Sequence, residues 1–168
     1  MKFGVRVDQE GSLLRDFHTV NGDYAYVTTR YYLEDAIFVV GLESENEELL
    51  KQIDDALHHP TFIPFLGRRS CPPSAQIPMG ILDAPLEDAL RLVPWQMSLW
   101  RQRKTGIAYL RLVTDASPDE AGAADVNDVP LSYNPERRKY GWRKVVSREP
   151  VKVSPPEIHP AHNAFADL

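Results

Sequence analysis

Three stretches of this 168-residue chain carry side chains that could do chemistry. The first is Gly67-Arg68-Arg69-Ser70. A glycine in a loop lets backbone amides approach an anion closely, two guanidinium groups supply fork-shaped donors for phosphate, and the serine adds a hydroxyl. The same four residues would also make an ordinary surface loop with two solvated arginines. The second is residues 15–32, where Arg15, His18 and Arg30 are interleaved with Phe17, Tyr24, Tyr26, Tyr31 and Tyr32. Cations among aromatic faces suit single-stranded nucleic acid, whose bases stack and whose phosphates pair. The rings could equally pack on one another to order a long loop. The third is residues 137–148, a basic run holding Tyr140 and Trp142, which reads as a solvated β surface or as a contact for RNA or protein.

Catalytic patterns are sparse. The chain has no HExxH, no Walker loop and no GxSxG. His18 could act as general base in a metal-free ribonuclease, with Tyr24 or Tyr26 and a lysine nearby. Cys71 is followed by two prolines and has no assigned basic partner, which points to a structural role. No metal site and no cofactor is expected.

The elements that must position these groups follow from periodicity. Residues 3–7 alternate as a short strand, and residues 8–30 form a long polar and aromatic segment with a turn signal at Asn21-Gly22. Residues 36–42 are continuously apolar and predict a buried strand. Ser44 and Glu47 form a capping box before a helix with the stripe Leu49, Leu50, Ile53, Ala56 and Leu57, which Pro60 stops. Residues 61–78 are a Gly- and Pro-rich loop, residues 85–93 a second helix, and residues 107–113 and 138–146 β elements. Residues 115–128 read as a flexible excursion and the tail from Val153 as extended or disordered.

Composition bounds the rest. Hydrophobic residues make up 43% and charged residues 26%, ordinary for a globular protein able to build a core. No apolar run is long enough to span a bilayer, nothing at the N-terminus reads as a signal peptide, and one cysteine excludes an internal disulfide, so a cytoplasmic setting is expected. The net charge of −5 averages an acidic stretch over residues 34–55 with the basic loops, so it does not exclude an RNA partner.

Taken in order, residues 3–8, Leu14-Arg15-Asp16-Phe17-His18-Thr19-Val20, residues 30–40, Ala56-Leu57-His58-His59-Pro60 and residues 65–74 resemble the CasD family of subunits of type I-E CRISPR Cascade complexes, in the repeat-associated (RAMP) superfamily. The likeness covers residues 3–95 well and continues weakly through residues 128–133 and 138–140. It implies an α+β, ferredoxin-like antiparallel sheet of the RRM or RAMP type, incomplete at its N-terminus, with a thumb insertion at about residues 8–32. Residues 1–95 would form that partial domain, residues 96–152 a β-rich C-terminal region, and residues 153–168 a flexible tail. It implies a non-catalytic scaffold that holds the 5′ handle of CRISPR RNA, contacts the CasC backbone and CasA large subunits, and meets target DNA only through the complex. Arg15, His18, Arg30 and Tyr31 of the thumb, with Gly67, Arg68, Arg69, Ser70 and Cys71 of the loop, would bind RNA. Family members begin with a strand and helix that this chain lacks before Phe3. That strand would lie between residues 36–42 and a strand beyond Pro60. The alternatives are a ribonuclease that processes CRISPR repeat RNA through His18 and a module that binds only protein.

Overall fold

The computed structural model describes residues 1–21 and 24–157. In chain order the elements are β1 (Lys2–Gln9), β2 (Ser12–Asn21), β3 (Ala25–Glu34), β4 (Ile37–Glu43), α1 (Glu47–His58), α2 (Leu86–Leu92), α3 (Leu99–Thr105), β5 (Ala108–Asp115), β6 (Ala124–Ser132), β7 (Lys139–Ser147) and β8 (Val151–Val153). One sheet runs β4-β1-β5-β7-β6, with β8 also paired to β5, and β2 and β3 form a separate two-stranded sheet. The fold is α+β with a mostly antiparallel sheet, a RAMP-type arrangement.

The chain divides into two compact units, through both of which β1, β4 and β5 run. The first contains Met1–Val5, Val40–Val93 and Val113–Ser147. Its core is set by α2, whose Leu86 and Leu90 are buried. Gly4 and Gly41 let that helix lie close on the strands. A Cβ at Gly41 would sit 2.6 Å from Leu86 Cδ1, and one at Gly4 2.9 Å from Leu90 Cδ1. Glu43 then ties the layer together, accepting from Leu86 N at 2.8 Å and from Lys2 Nζ at 2.6 Å. Both bonds hold its carboxyl below the usual range, the lysine contributing most.

The second unit contains Arg6–Val39, Pro94–Leu112 and the chain from Arg148 onward. Val7, Val39, Trp95, Leu110, Leu112 and Val151 are its buried apolar core. Inside it lies a fully buried ion pair. Arg6 Nε donates to Asp8 Oδ1 at 2.7 Å and Arg6 Nη2 to Asp8 Oδ2 at 2.8 Å, with neither side chain exposed. Arg6 also donates to the carbonyl of Pro94 at 3.0 Å, Gln96 N to Asp8 Oδ2 at 2.7 Å, and Trp95 Nε1 to the carbonyl of Asp8 at 3.0 Å. The buried Gln102 of α3 bonds the carbonyls of Trp95 and Met97. Every described buried side-chain polar atom has a partner.

Several expectations need correction. The segment at residues 8–30 is not a loop: it holds β2 and most of β3, which lack an apolar alternation because both faces of the hairpin are largely exposed. The strand at residues 36–42 is not buried. It is β4, at the end of the sheet, with only Val39 inside. Helix α1 starts at Glu47 with Asn46 as its cap, accepting from Leu49 N at 3.0 Å, because Ser44 Oγ is taken by Asn46 N. No strand follows Pro60 among the described residues before α2. Residues 124–128, expected to be flexible, begin β6, whose weak propensity is offset by the cross-strand pairs Asp125–Lys144 and Asp128–Arg143. Val153 ends β8 rather than opening a tail. The Asn21-Gly22 turn and the tail beyond Glu157 lie outside the described residues.

Candidate nucleic-acid interface

The hairpin of β2 and β3 carries the first group of expected site residues. Its root is well held. Gly11, at φ +76, turns β1 into β2 with Glu34 and Ala36 close by. Gln9 donates to the carbonyl of Asp35, Arg101 pairs with Asp35 at 2.8 Å, and Arg111 pairs with Glu10 at 3.2 Å. Beyond this root the strands pair antiparallel, with Arg15 opposite Tyr31, Asp16 opposite Arg30, Phe17 opposite Thr29 and His18 opposite Thr28.

That register separates the expected residues. Cross-strand partners share a face and neighbours along a strand do not. Arg15 and Tyr31 therefore lie on one face with Leu13, Phe17, Val27 and Leu33, all exposed and none acidic. His18 and Arg30 lie on the other with Asp16, Tyr26 and Tyr32. There the Asp16 carboxylate sits opposite Arg30 and 3.5 Å from His18 Nε2, so it offsets positive charge that a phosphate would need. The first face joins one cation to exposed rings and suits stacking on bases. The second is a mixed-charge face. The hairpin contains no lysine, so the tyrosine, lysine and histidine of a metal-free ribonuclease are not supplied by this element.

The second group forms a closed turn. Leu66 N donates to the carbonyl of Cys71 at 2.8 Å and Cys71 N to that of Arg68 at 2.9 Å. Gly67 stands at φ +83, a left-handed conformation that side-chain-bearing residues rarely adopt, with open space where a Cβ would be. Arg68 is half-buried and its Nε donates to Cys71 Sγ at 3.2 Å, so Arg68 and Cys71 shape the turn. Arg69 and Ser70 are exposed at its tip. Beside it Leu57 and His58 of α1 and Pro72 and Pro73 line an open cavity of about 290 Å³.

The basic run around β7 is less uniform than its sequence. Arg143 is held by Asp128 through two bonds of 2.7 and 2.6 Å and also bonds Asp115, which keeps the Asp128 carboxyl below its ordinary range. Its guanidinium lies 5.2 Å from the Phe3 ring centre. Lys144 pairs with Asp125 at 3.1 Å, while Tyr140 and Trp142 face solvent. Sequence reasoning named these rings but not their shared face, which the i, i+2 spacing within one strand could have revealed. The two faces of the hairpin could likewise have been counted outward from Asn21-Gly22. Among the described residues no group of three or more His, Cys, Asp or Glu is placed to hold a metal, and no helix is long and apolar enough to cross a membrane.

Comparison with known proteins adds three findings. Residues 1–146 match the family described as CRISPR-associated protein (Cas_Cas5). The "CRISPR system Cascade subunit CasD" of Escherichia coli (strain K12) is 36% identical over 83 residues, 42% of this chain and 37% of the relative. The match thus spans little more than a third of that relative. A chain of a solved structure titled "CRISPR RNA-guided surveillance complex" superposes with a TM-score of 0.64 at 27% identity, covering 91% of this chain and 68% of that one.

Proposed function

Because the chain belongs to the CRISPR-associated Cas5 family, we propose that it is a scaffold subunit of a Cascade-type surveillance complex that holds the 5′ handle of the CRISPR RNA. The observation that carries this reading is the superposition of 91% of the chain on a subunit of an RNA-guided surveillance complex. The two expected surfaces support it in different ways. The turn at Gly67 presents Arg69 and Ser70 at an exposed tip, a fitting place for a phosphate. The Arg15–Tyr31 face of the hairpin joins a cation to exposed rings. Backbone and large subunits, with target DNA reached only through the complex, complete the proposed set of partners, in the cytoplasm.

Reversal of both charges, Arg68→Glu with Arg69→Glu, tests the loop. Handle RNA binding, read by fluorescence anisotropy at several salt concentrations, should fall steeply and its salt dependence should flatten. Because Arg68 also shapes the turn, Arg69→Glu alone serves as the control that leaves the Arg68–Cys71 contact in place. Wild-type affinity in both variants refutes the assignment. The ribonuclease reading is tested in the same samples: repeat RNA incubated with the protein in chelator should stay intact, and cleavage that disappears in His18→Ala would replace the scaffold reading.

A further inference from the structure

The ladder of β6 and β7 bears an exposed aromatic face that the handle-binding reading does not use. Tyr140, Trp142 and Lys144 alternate along β7 and so share one side of it. The register sets Pro130, Asn127 and Asp125 opposite them. Trp142 is 67% exposed and Tyr140 about half exposed, although rings of this size bury more area than any other side chain when they have a partner.

The strand is not free to turn these rings inward. On its other side Arg143 is held by Asp115 and Asp128 and stacks over Phe3, which fixes the rotation of β7 and directs Trp142 outward. Next to that ring an open cavity of about 330 Å³ is lined by Lys144, Asp125, Pro118 and Ala116. It offers a flat apolar wall, an ammonium group and a carboxylate acceptor together. Of the five cations in residues 137–144, Arg143 is held by Asp115 and Asp128 and Lys144 by Asp125, while Arg137, Arg138 and Lys139 are exposed. The occupant that matches this surface is flat-faced and anionic.

We propose that the Tyr140–Trp142 face of β7 is a second nucleic-acid contact, where a base of a single strand stacks on Trp142 and the adjoining phosphates meet the exposed Arg137 and Arg138 just before the strand. Two rings at successive same-face positions lie about 7 Å apart, a spacing at which neighbouring unstacked bases can each find a ring. Stacking is tolerant of sequence, so this contact takes a strand without reading it. It uses none of the residues of the Gly67–Cys71 turn and does not need the handle.

The test uses the full chain and a labelled oligouridylate of about 12 nucleotides, which lacks any handle sequence. Trp142→Ala should weaken its binding about tenfold, and Trp142→Phe should restore most of the loss. In a Trp100→Phe background, which removes the other exposed indole, saturating RNA should quench emission, and adding Trp142→Phe should abolish the change. The proposal is overturned if Trp142→Ala, folded by circular dichroism, binds as tightly as its parent. It is also overturned if the oligonucleotide leaves emission unchanged while a protein subunit alters it, since the face would then be a protein contact. Loss of handle binding in the Arg68/Arg69 variant with Trp142 quenching retained supports both surfaces. Loss of handle binding there, with Trp142→Ala unaffected, removes this inference and leaves the handle reading standing.

Discussion

Removing the Asp8 carboxylate should be among the most damaging single changes in the second unit. Asp8→Ala deletes two charge-assisted bonds from Arg6 and one from the amide of Gln96, all at 2.7–2.8 Å. It also removes the counter-charge from a guanidinium that has no solvent exposure. Breaking a buried pair from one side costs about 3–5 kcal/mol, a large share of the roughly 5–15 kcal/mol that holds a domain together. For a chain of this length that should lower the thermal midpoint by about 6–20 °C. Urea denaturation followed by circular dichroism measures the free energy directly. The companion variant, Arg6→Met with Asp8→Leu, removes both charges at similar volume and should recover at least half of the loss. A loss below about 1 kcal/mol for Asp8→Ala, or a double variant as unstable as the single one, would show that the pair does not govern stability here. The change should also disturb the nearby hairpin, since Asp8 is three residues before Gly11 and its carboxylate anchors Gln96.

Two further outcomes follow from local geometry. Gly67→Ala should cost about 1 kcal/mol of local strain at φ +83 without any clash, so handle RNA affinity should fall while the thermal midpoint drops by only about 2–4 °C; an unchanged affinity would mean the turn's shape is irrelevant to binding. Glu43 has a lowered carboxyl pKa in the fold, so its contribution is complete above the ordinary value of 4.5 and is lost as pH falls through the folded value. The stability gap between wild type and Glu43→Gln should therefore be full at neutral pH and close under acid, and a gap independent of pH across that range would refute the Lys2 and Leu86 linkage.

The sequence was most legible where one physical rule governed an element. Helix α1 follows from its apolar stripe and Pro60, although Asn46 rather than Ser44 caps it, α2 from Pro85 and its acidic first turn, and β1 and β5 from apolar residues in short runs. It was least legible where tertiary pairing decides. β2 and β3 alternate polar and apolar residues on both faces, so period alone does not separate a hairpin from a loop. β6 is built from Ala, Asp, Val, Asn and Pro and is held by its ion pairs to β7, with register shifts that accommodate Pro130. For the candidate site, the residue types were readable and their sides were not. Arg15 and Arg30 look equivalent in the sequence, yet one lies among exposed rings and the other opposite a carboxylate. Arg143 looks like one more surface cation, yet two aspartates neutralise it.

The position of β4 at the end of its sheet has a consequence for how the subunit behaves in solution. From Ile37 to Leu42 the strand carries no charge and no proline, and Phe38 and Val40 face solvent. Its sole charged residue, Glu43, is tied to Lys2 and α2 and guards nothing. Among the described residues no strand covers the outer edge. Such an edge is a template for further strands, without the lysines or prolines that normally discourage self-pairing. Purified alone, the chain should therefore scatter light increasingly with concentration and on standing. Val40→Lys places a charge on this six-residue stretch and should lower the scattering, and scattering equal to that of the parent would show that this edge does not drive it.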